Sequence, residues 1–233
     1  MRYAYGMDWT YILVLIGAFV SFLASVNVKS TFKKYSKIRN REGLTSNDVA
    51  GNILNMTGCY DIRIEKVKGN LTDHFAPTEG VLRLSDSVYG SDSVAAIGVA
   101  AHECGHAIQH NENYFPVKLR SISVPVANFG SKFSWPLILI GLILSFQPLV
   151  RLGILVFMFV VLFQVITLPV EFDASKRALA ILTDNNIIEA DEVAVVKKVL
   201  TAAALTYVAS LFTSIMQLAR FILLSRGSGS RRR

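Results

Sequence analysis

The sequence predicts a mainly α, membrane-embedded helical protein that carries one H-E-x-x-H helix and a small β element of two to three short strands. Three observations predict it. The chain has 233 residues, 52% of them hydrophobic and only 18% charged, and its mean hydropathy of +0.42 is too high for an ordinary soluble domain of this size. The apolar residues gather into long uncharged runs, so they are not spread evenly. The polar stretch between the runs holds both alternating segments and the motif H-E-C-G-H. The same composition excludes disorder, a collagen-like repeat and a coiled coil.

Thr10 to Val26 is the first run, 17 residues without a charge, with Tyr3, Tyr5 and Trp9 on one side and Lys29, Lys33 and Lys34 on the other. An aromatic belt at one edge and a basic flank at the other describe a spanning helix. A cleaved signal peptide would want a charged leader, and Arg2 is the one basic residue ahead of the run. The run therefore reads as an uncleaved anchor. Trp135 to Val150 and Leu152 to Val170 follow as two further runs, joined by a turn around Gln147, Pro148 and Arg151, and predict a helical hairpin through the bilayer. A fourth run, Leu200 to Leu224, is interrupted by Gln217 and Arg220, so it either spans or lies at the interface.

Charge orients these segments. The chain carries a net charge of +7, and 13 of its 24 Lys and Arg residues lie between the first and second runs, six of them from Lys29 to Arg41. By the positive-inside rule that region is cytoplasmic. The segment after Val170, with Lys176, Arg177, Lys197 and Lys198, returns to the same side. The tail SRGSGSRRR, with four arginines, departs from the rule if the fourth run crosses fully. Basic residues next to membrane runs report topology and anionic headgroups, and no stacking platform or nucleic-acid motif accompanies them, so nucleic acid is not expected as a partner.

Within the polar region, Lys29 to Ser36 continues the first span as a basic helix. Thr45 to Met56 predicts a helix capped by Thr45 or Ser46. The alternation of DIRIEKV from Asp61 and of GVLRLS from Gly80 predicts short strands. Ser91 or Asp92 would then cap a long helix through SVAAIGVAAHECGHAIQH, in which Gly98 and Gly105 let a neighbouring backbone approach closely.

The chemistry is concentrated on that last helix. His102 and His106 are four residues apart, so both imidazoles lie on one face and can meet one zinc ion. Glu103 is about 100° round the helix, where its carboxylate reaches a metal-bound water and acts as general base. Chance produces H-E-x-x-H in roughly one chain of this length in a hundred, and seldom on a supported helix. A catalytic zinc needs a third protein ligand and an open position. His110 is about 12 Å along the axis from His102, too far for one straight helix to supply all three nitrogens. Glu171, in LPVEFDASKRAL just after the third run, is the better candidate, because two crossings return it to the face of the zinc helix. Pro169 can break or restart the helix there, and Glu171 and Ser175 then share a face. Asp173, about 200° from Glu171, is the rival ligand. The bland alternative is a carboxylate marking the membrane boundary. Cys104 faces away from the metal, and Cys59 and Cys104 read as packing in a reducing compartment.

The runs SVAAIGVAAHECGHAIQH, VLRLSDSVYGSDS, VKSTFKKYSK and LPVEFDASKRAL together resemble the YugP-like neutral zinc metallopeptidases of bacterial membranes. The resemblance extends from about Tyr11 to Leu224. More distantly the chain is similar to membrane-bound zinc peptidases of the gluzincin type, in which a glutamate from a later helix completes the site. The resemblance implies His102, His106 and Glu171 as zinc ligands and Glu103 as catalytic acid and base. Two departures stand out. Ser175 occupies a position where related peptidases often have aspartate, and Asp73, His74, Phe75, Ala76 and Pro77 stand where the family reads D-H-Y-D-P.

The organisation expected is a first transmembrane helix over 1–28, a cytoplasmic metallopeptidase region over 29–132 and a transmembrane hairpin over 133–170. A helix carrying the third ligand over 171–199, a fourth transmembrane or interfacial helix over 200–224 and a flexible basic tail over 225–233 complete it. The function expected is zinc-dependent hydrolysis of a peptide or membrane-protein substrate at the cytoplasmic membrane of a bacterium, in quality control or processing, alone or with a partner subunit. His110, His74, Tyr89 and Arg177 are candidates to support the metal or the substrate, with Tyr114 a further candidate for the oxyanion. The strand VLRLS is a candidate to pair with an extended substrate at a sheet edge. Two other readings are a site-2-type intramembrane protease and a membrane scaffold that keeps the metal for stability. Arg220, an intramembrane charge, is a candidate partner for an acidic group or an interfacial snorkeller.

Overall fold

A computed structural model describes residues 9–229, with side chains described as far as Ser225. Tyr3, Tyr5 and the last three arginines, which figured in the belt and tail expectations, lie outside the described residues. The elements run α1 (Tyr11–Tyr35), α2 (Ser46–Met56), β1 (Arg63–Val67), β2 (His74–Ala76), β3 (Val81–Ser85), α3 (Val94–Asn111), α4 (Phe115–Ile143), α5 (Gln147–Asp184) and α6 (Ala190–Gly229). Helices α1, α4, α5 and α6 are each long and apolar enough to cross a membrane. The described fold is thus mainly helical and membrane-spanning, with a small three-stranded sheet.

Several boundaries differ from expectation. Helix α4 begins at Phe115, twenty residues before the apolar run, because Pro116 suits the first turn and Pro125 and Pro136 are accommodated inside. The hairpin turn is at residues 144–146, where Ser145 has φ of 52°. Gln147 and Pro148 therefore start α5 and do not form the turn, again with proline in the first turn, where its missing N–H is no loss. Pro169 neither breaks nor restarts the helix: α5 runs through it for 38 residues. Long membrane helices carry proline when the freed backbone groups are satisfied locally. No separate helix covers 171–199. Residues 171–184 end α5, Asn186 turns the chain with φ of 51°, and Ala190 starts a single helix α6 that reaches Gly229. Asparagine tolerates that left-handed backbone better than most residues.

The chain divides into two compact units. One gathers the residues up to Ser25, Leu119–Thr167 and those from Thr206 onward. It is packed through small residues. A Cβ on Gly153 would lie 2.6 Å from Ile138 Cγ1, and one on Gly17 would lie 3.1 Å from Thr213, which is the close helix approach expected where apolar side chains gain nothing by leaving lipid. Ile138, Val150, Phe157 and Phe221 form its buried core, and Phe19, Phe22, Ile140 and Phe159 point outward. Arg220 is buried, with its guanidinium carbon 3.9 Å over the Tyr11 ring. Its partner is an aromatic face.

The other unit comprises Val26–Lys118 and Leu168–Leu205. Thr45 caps α2 in a capping box with Asp48. Val49, Ala50, Ile53 and Leu54 of α2 join Ala96, Ile97, Ala100 and Ala101 of α3 in one buried cluster with Ala178, Leu182, Val196 and Val199. Burial of each such Val, Leu or Ile contributes about 1.5–3 kcal/mol. The sheet order is β1-β3-β2, with β3 parallel to β1 and antiparallel to β2. The strand VLRLS is therefore central and hydrogen-bonded on both sides. It has no edge to offer a substrate, contrary to expectation; β1 and β2 are the edges.

Helix α3 is capped by Ser93, one or two residues later than expected, its Oγ accepting from Ala96 N at 3.2 Å. Its two glycines are contact points. A Cβ on Gly98 would lie 3.0 Å from Val196 Cγ1 of α6, and one on Gly105 would lie 2.6 Å from the Ala174 carbonyl oxygen of α5. The second contact is backbone and cannot give way as a side chain can. Gly105→Ala is expected to lower thermal stability in detergent by about 1–3 kcal/mol, the usual cost of overpacking. Gly51, in α2 with open space around it, is the matched control. Gly51→Ala should leave stability unchanged or raise it by up to about 1 kcal/mol.

Candidate metal centre

Because α3 and α5 meet at Gly105 and Ala174, the residues flanking that contact converge. His102 and His106 stand one turn apart on α3, their ring centroids 4.7 Å apart and nearly perpendicular. Glu171 of α5 is buried, and its Oε2 lies 3.4 Å from His102 Nε2 and 3.5 Å from His106 Nε2. The three side chains could hold a metal ion together. Ligand bonds of about 2.1 Å in a tetrahedral shell set donor atoms about 3.4 Å apart. The two carboxylate-to-imidazole separations match that edge, and all three donor atoms lie within 4.8 Å of one another, so the set suits zinc in its chemistry and is close to it in size.

The Nδ1 atoms of both rings are held from behind. His106 Nδ1 lies 3.0 Å from Gln109 Oε1, and the Gln109 amide donates to the Val170 carbonyl at 2.8 Å and to Asp173 Oδ2 at 2.8 Å. Both amide hydrogens are thereby used, and only the oxygen is left to face the ring. His106 then carries a proton on Nδ1, so Nε2 is the nitrogen left for a metal; when the ring is doubly protonated, Nε2 donates to Glu171 instead. His102 Nδ1 lies 3.1 Å from Ser175 Oγ. A hydroxyl both donates and accepts, so Ser175 orients this ring without dictating its tautomer as a carboxylate would. Burial alone would push the His106 pKa down, but the Glu171 hydrogen bond and the Glu103 and Glu171 charges outweigh it and hold the pKa above the usual imidazole value.

The other sequence candidates fall elsewhere. Glu103 is buried on α3 beside His102. Asp173, the rival ligand, faces Gln109 and Arg177 and is not part of the three-residue group. Arg177 is engaged by Asp173 and by Glu112 at 2.6 Å, and lies 5.5 Å over the Tyr114 ring. It braces α5 against the end of α3. His110 is exposed on the last turn of α3, its ring 5.9 Å from Phe75 of β2. His74 is exposed with Nδ1 2.9 Å from Thr72 O, and Tyr89 is exposed after β3. None of these three joins the ligand group. Asp73 bonds the Ser85 amide and hydroxyl at 2.7 and 2.9 Å, a structural use that ties the loop to β3. Cys104 is buried, its thiol 3.7 Å from the Ala50 carbonyl, and desolvation pushes its pKa well up. Gln109 escaped sequence reasoning, although its spacing of three from His106 was a usable signal.

Comparison with known proteins bears on this arrangement. Residues 10–226 match the family described as "Putative neutral zinc metallopeptidase". The chain belongs to that family. It is 47% identical over 205 residues, covering 88% of this chain and 91% of the relative, to a Bacillus subtilis (strain 168) protein described as "Putative membrane protease YugP". No solved structure matches the chain. Family membership, that bacterial relative and the four apolar helices support a multi-pass bacterial membrane protein, consistent with a metalloprotease role. The His-His-Glu cluster is consistent with zinc binding.

If Gln109 sets the His106 tautomer, Gln109→Leu should weaken zinc binding about 10–100-fold while α-helix content is kept. Competition with a chromophoric chelator measures this. Ser175→Ala should weaken it less, since that hydroxyl leaves the tautomer open.

Proposed function

We propose that this chain is a membrane-anchored zinc endopeptidase, with His102, His106 and Glu171 as metal ligands and Glu103 as general base and acid. One observation carries the reading: the buried Glu171 carboxylate lies 3.4 and 3.5 Å from the Nε2 atoms of His102 and His106, with Glu103 buried on the helix that carries both histidines. Zinc bound there would polarise a peptide carbonyl and lower the pKa of its water toward about 7. Glu103 would accept a proton from the attacking water and return it to the departing amine. Gln109 and Ser175 hold the two imidazoles, so neither ring has to reorient during the reaction.

An extended peptide is the fitting substrate form. Since β3 is internal, the free edge of β2 replaces it as the candidate for main-chain pairing. Phe75 of β2 already touches His110, which puts this edge strand against the end of α3. The positive-inside rule supports a cytoplasmic site, the basic run from Lys29 to Arg41 marking that side.

Glu103→Gln should retain zinc but cut the rate of peptide cleavage by about 10²–10⁴-fold. Unchanged cleavage with bound zinc would overturn the assignment. Orientation has its own check. Cys59 and Cys104 are buried, so a cysteine introduced at exposed Lys37 should react with an impermeant maleimide in inverted vesicles and stay unreacted in intact cells.

A further inference from the structure

Behind His102, on the far side of Ser175, α5 and α6 flank an open cavity of about 260 Å³ whose lining includes Phe172, Ser175 and Lys176 of α5 and Lys197, Thr201 and Leu205 of α6. We infer that it binds an anionic phospholipid, one acyl-chain segment entering the cavity and the phosphate meeting Lys176 and Lys197.

The lining has a direction. On α5, Phe172 lies two residues past Val170, where the apolar run ends, and Lys176 is one turn farther on. On α6, Leu205 lies inside the apolar run that starts at Leu200, and Lys197 precedes that run. Both lysines therefore stand at the polar end of their helix stripe, and both apolar side chains stand toward the membrane-spanning end, which is the polarity of a phospholipid. The cavity is smaller than the roughly 300–1,000 Å³ of small-molecule sites, so it takes a chain segment and not a whole ligand.

The lining contains no Asp or Glu, and neither lysine makes an ion pair among the described residues. Asp173, the nearest carboxylate to Lys176 along α5, is engaged by Arg177 and Gln109. Ser175 Oγ faces His102 Nδ1, leaving little to hold water inside an apolar wall. Two cationic, exposed side chains at the rim of an apolar cavity on membrane helices fit an anionic lipid headgroup. A peptide side chain fits less well, because no lining residue comes from α3 or from the edge strand β2. The lipid would sit one hydrogen bond behind His102, through Ser175.

Native mass spectrometry of the full chain in detergent, titrated with dioleoyl phosphatidylglycerol or dioleoyl phosphatidylcholine, tests this. Each lysine contributes about 1 kcal/mol at an anionic lipid surface, so the anionic phosphatidylglycerol should bind about thirtyfold more tightly than the zwitterionic phosphatidylcholine. The double variant Lys176→Gln, Lys197→Gln should erase that preference. Thr201→Trp, at an exposed position, should fill the cavity and weaken both lipids at least tenfold. Circular dichroism checks that each variant is folded. Equal affinity for the two lipids in the unaltered protein overturns the proposal. So does a folded Thr201→Trp variant that binds normally, which would reduce the lysines to an open charged surface. Displacement of the bound lipid by a leucyl peptide amide at equal or higher affinity would assign the cavity to peptide and overturn it as well.

Discussion

Everything at the candidate metal centre depends on how closely two backbones pass. Helix α3 carries two imidazoles, and the third donor comes from α5, 65 residues beyond His106 in sequence. The carboxylate meets both Nε2 atoms at 3.4 and 3.5 Å because Gly105 admits the Ala174 carbonyl to a place where any Cβ would be 2.6 Å away. A helix separation larger by one methyl group would leave the histidines facing a carboxylate out of reach. The motif supplies the chemistry, and a glycine that takes no part in it supplies the distance.

Gln109 converts that proximity into a defined electronic state. Its two amide hydrogens are committed to α5, at Val170 and Asp173, so the helix contact itself determines which atom of the amide faces His106. The tautomer of that ring is thus linked to the packing of α3 against α5. Arg177 extends the link by joining Asp173 of α5 to Glu112 at the end of α3. Ser175, a hydroxyl and not an acceptor-only carboxylate, leaves the His102 side softer. The two histidines are therefore held unequally, one through an amide locked on both hydrogens and the other through a rotatable hydroxyl.

Much of this was legible in the residues. Helix spacing made His102 and His106 a pair, and the second and third apolar runs returned Glu171 to the same side of the membrane. Residues such as Thr45 and the alternation of DIRIEKV announced α2 and β1 through local chemistry. Errors arose where a local signal met a long-range one. Pro169 reads as a helix break in isolation, yet it sits inside a helix already held through 38 residues. The charges Lys118, Arg120 and Lys132 hid the first half of α4 from hydropathy. VLRLS looked like an available edge because strand order is invisible until β1 and β2 are seen on either side of it.

By itself the sequence determined the composition of the membrane runs, the donor atoms and the helical period that aligns two of them, because each depends on neighbours a few residues away. Only the tertiary structure put Glu171, and not Asp173, beside the two histidines, moved the free sheet edge from β3 to β2, and gave Gln109 and Ser175 their places behind the imidazoles. Those outcomes depend on which faces of α3 and α5 meet. That is a balance of backbone approach, burial and hydrogen-bond satisfaction among residues far apart in the chain.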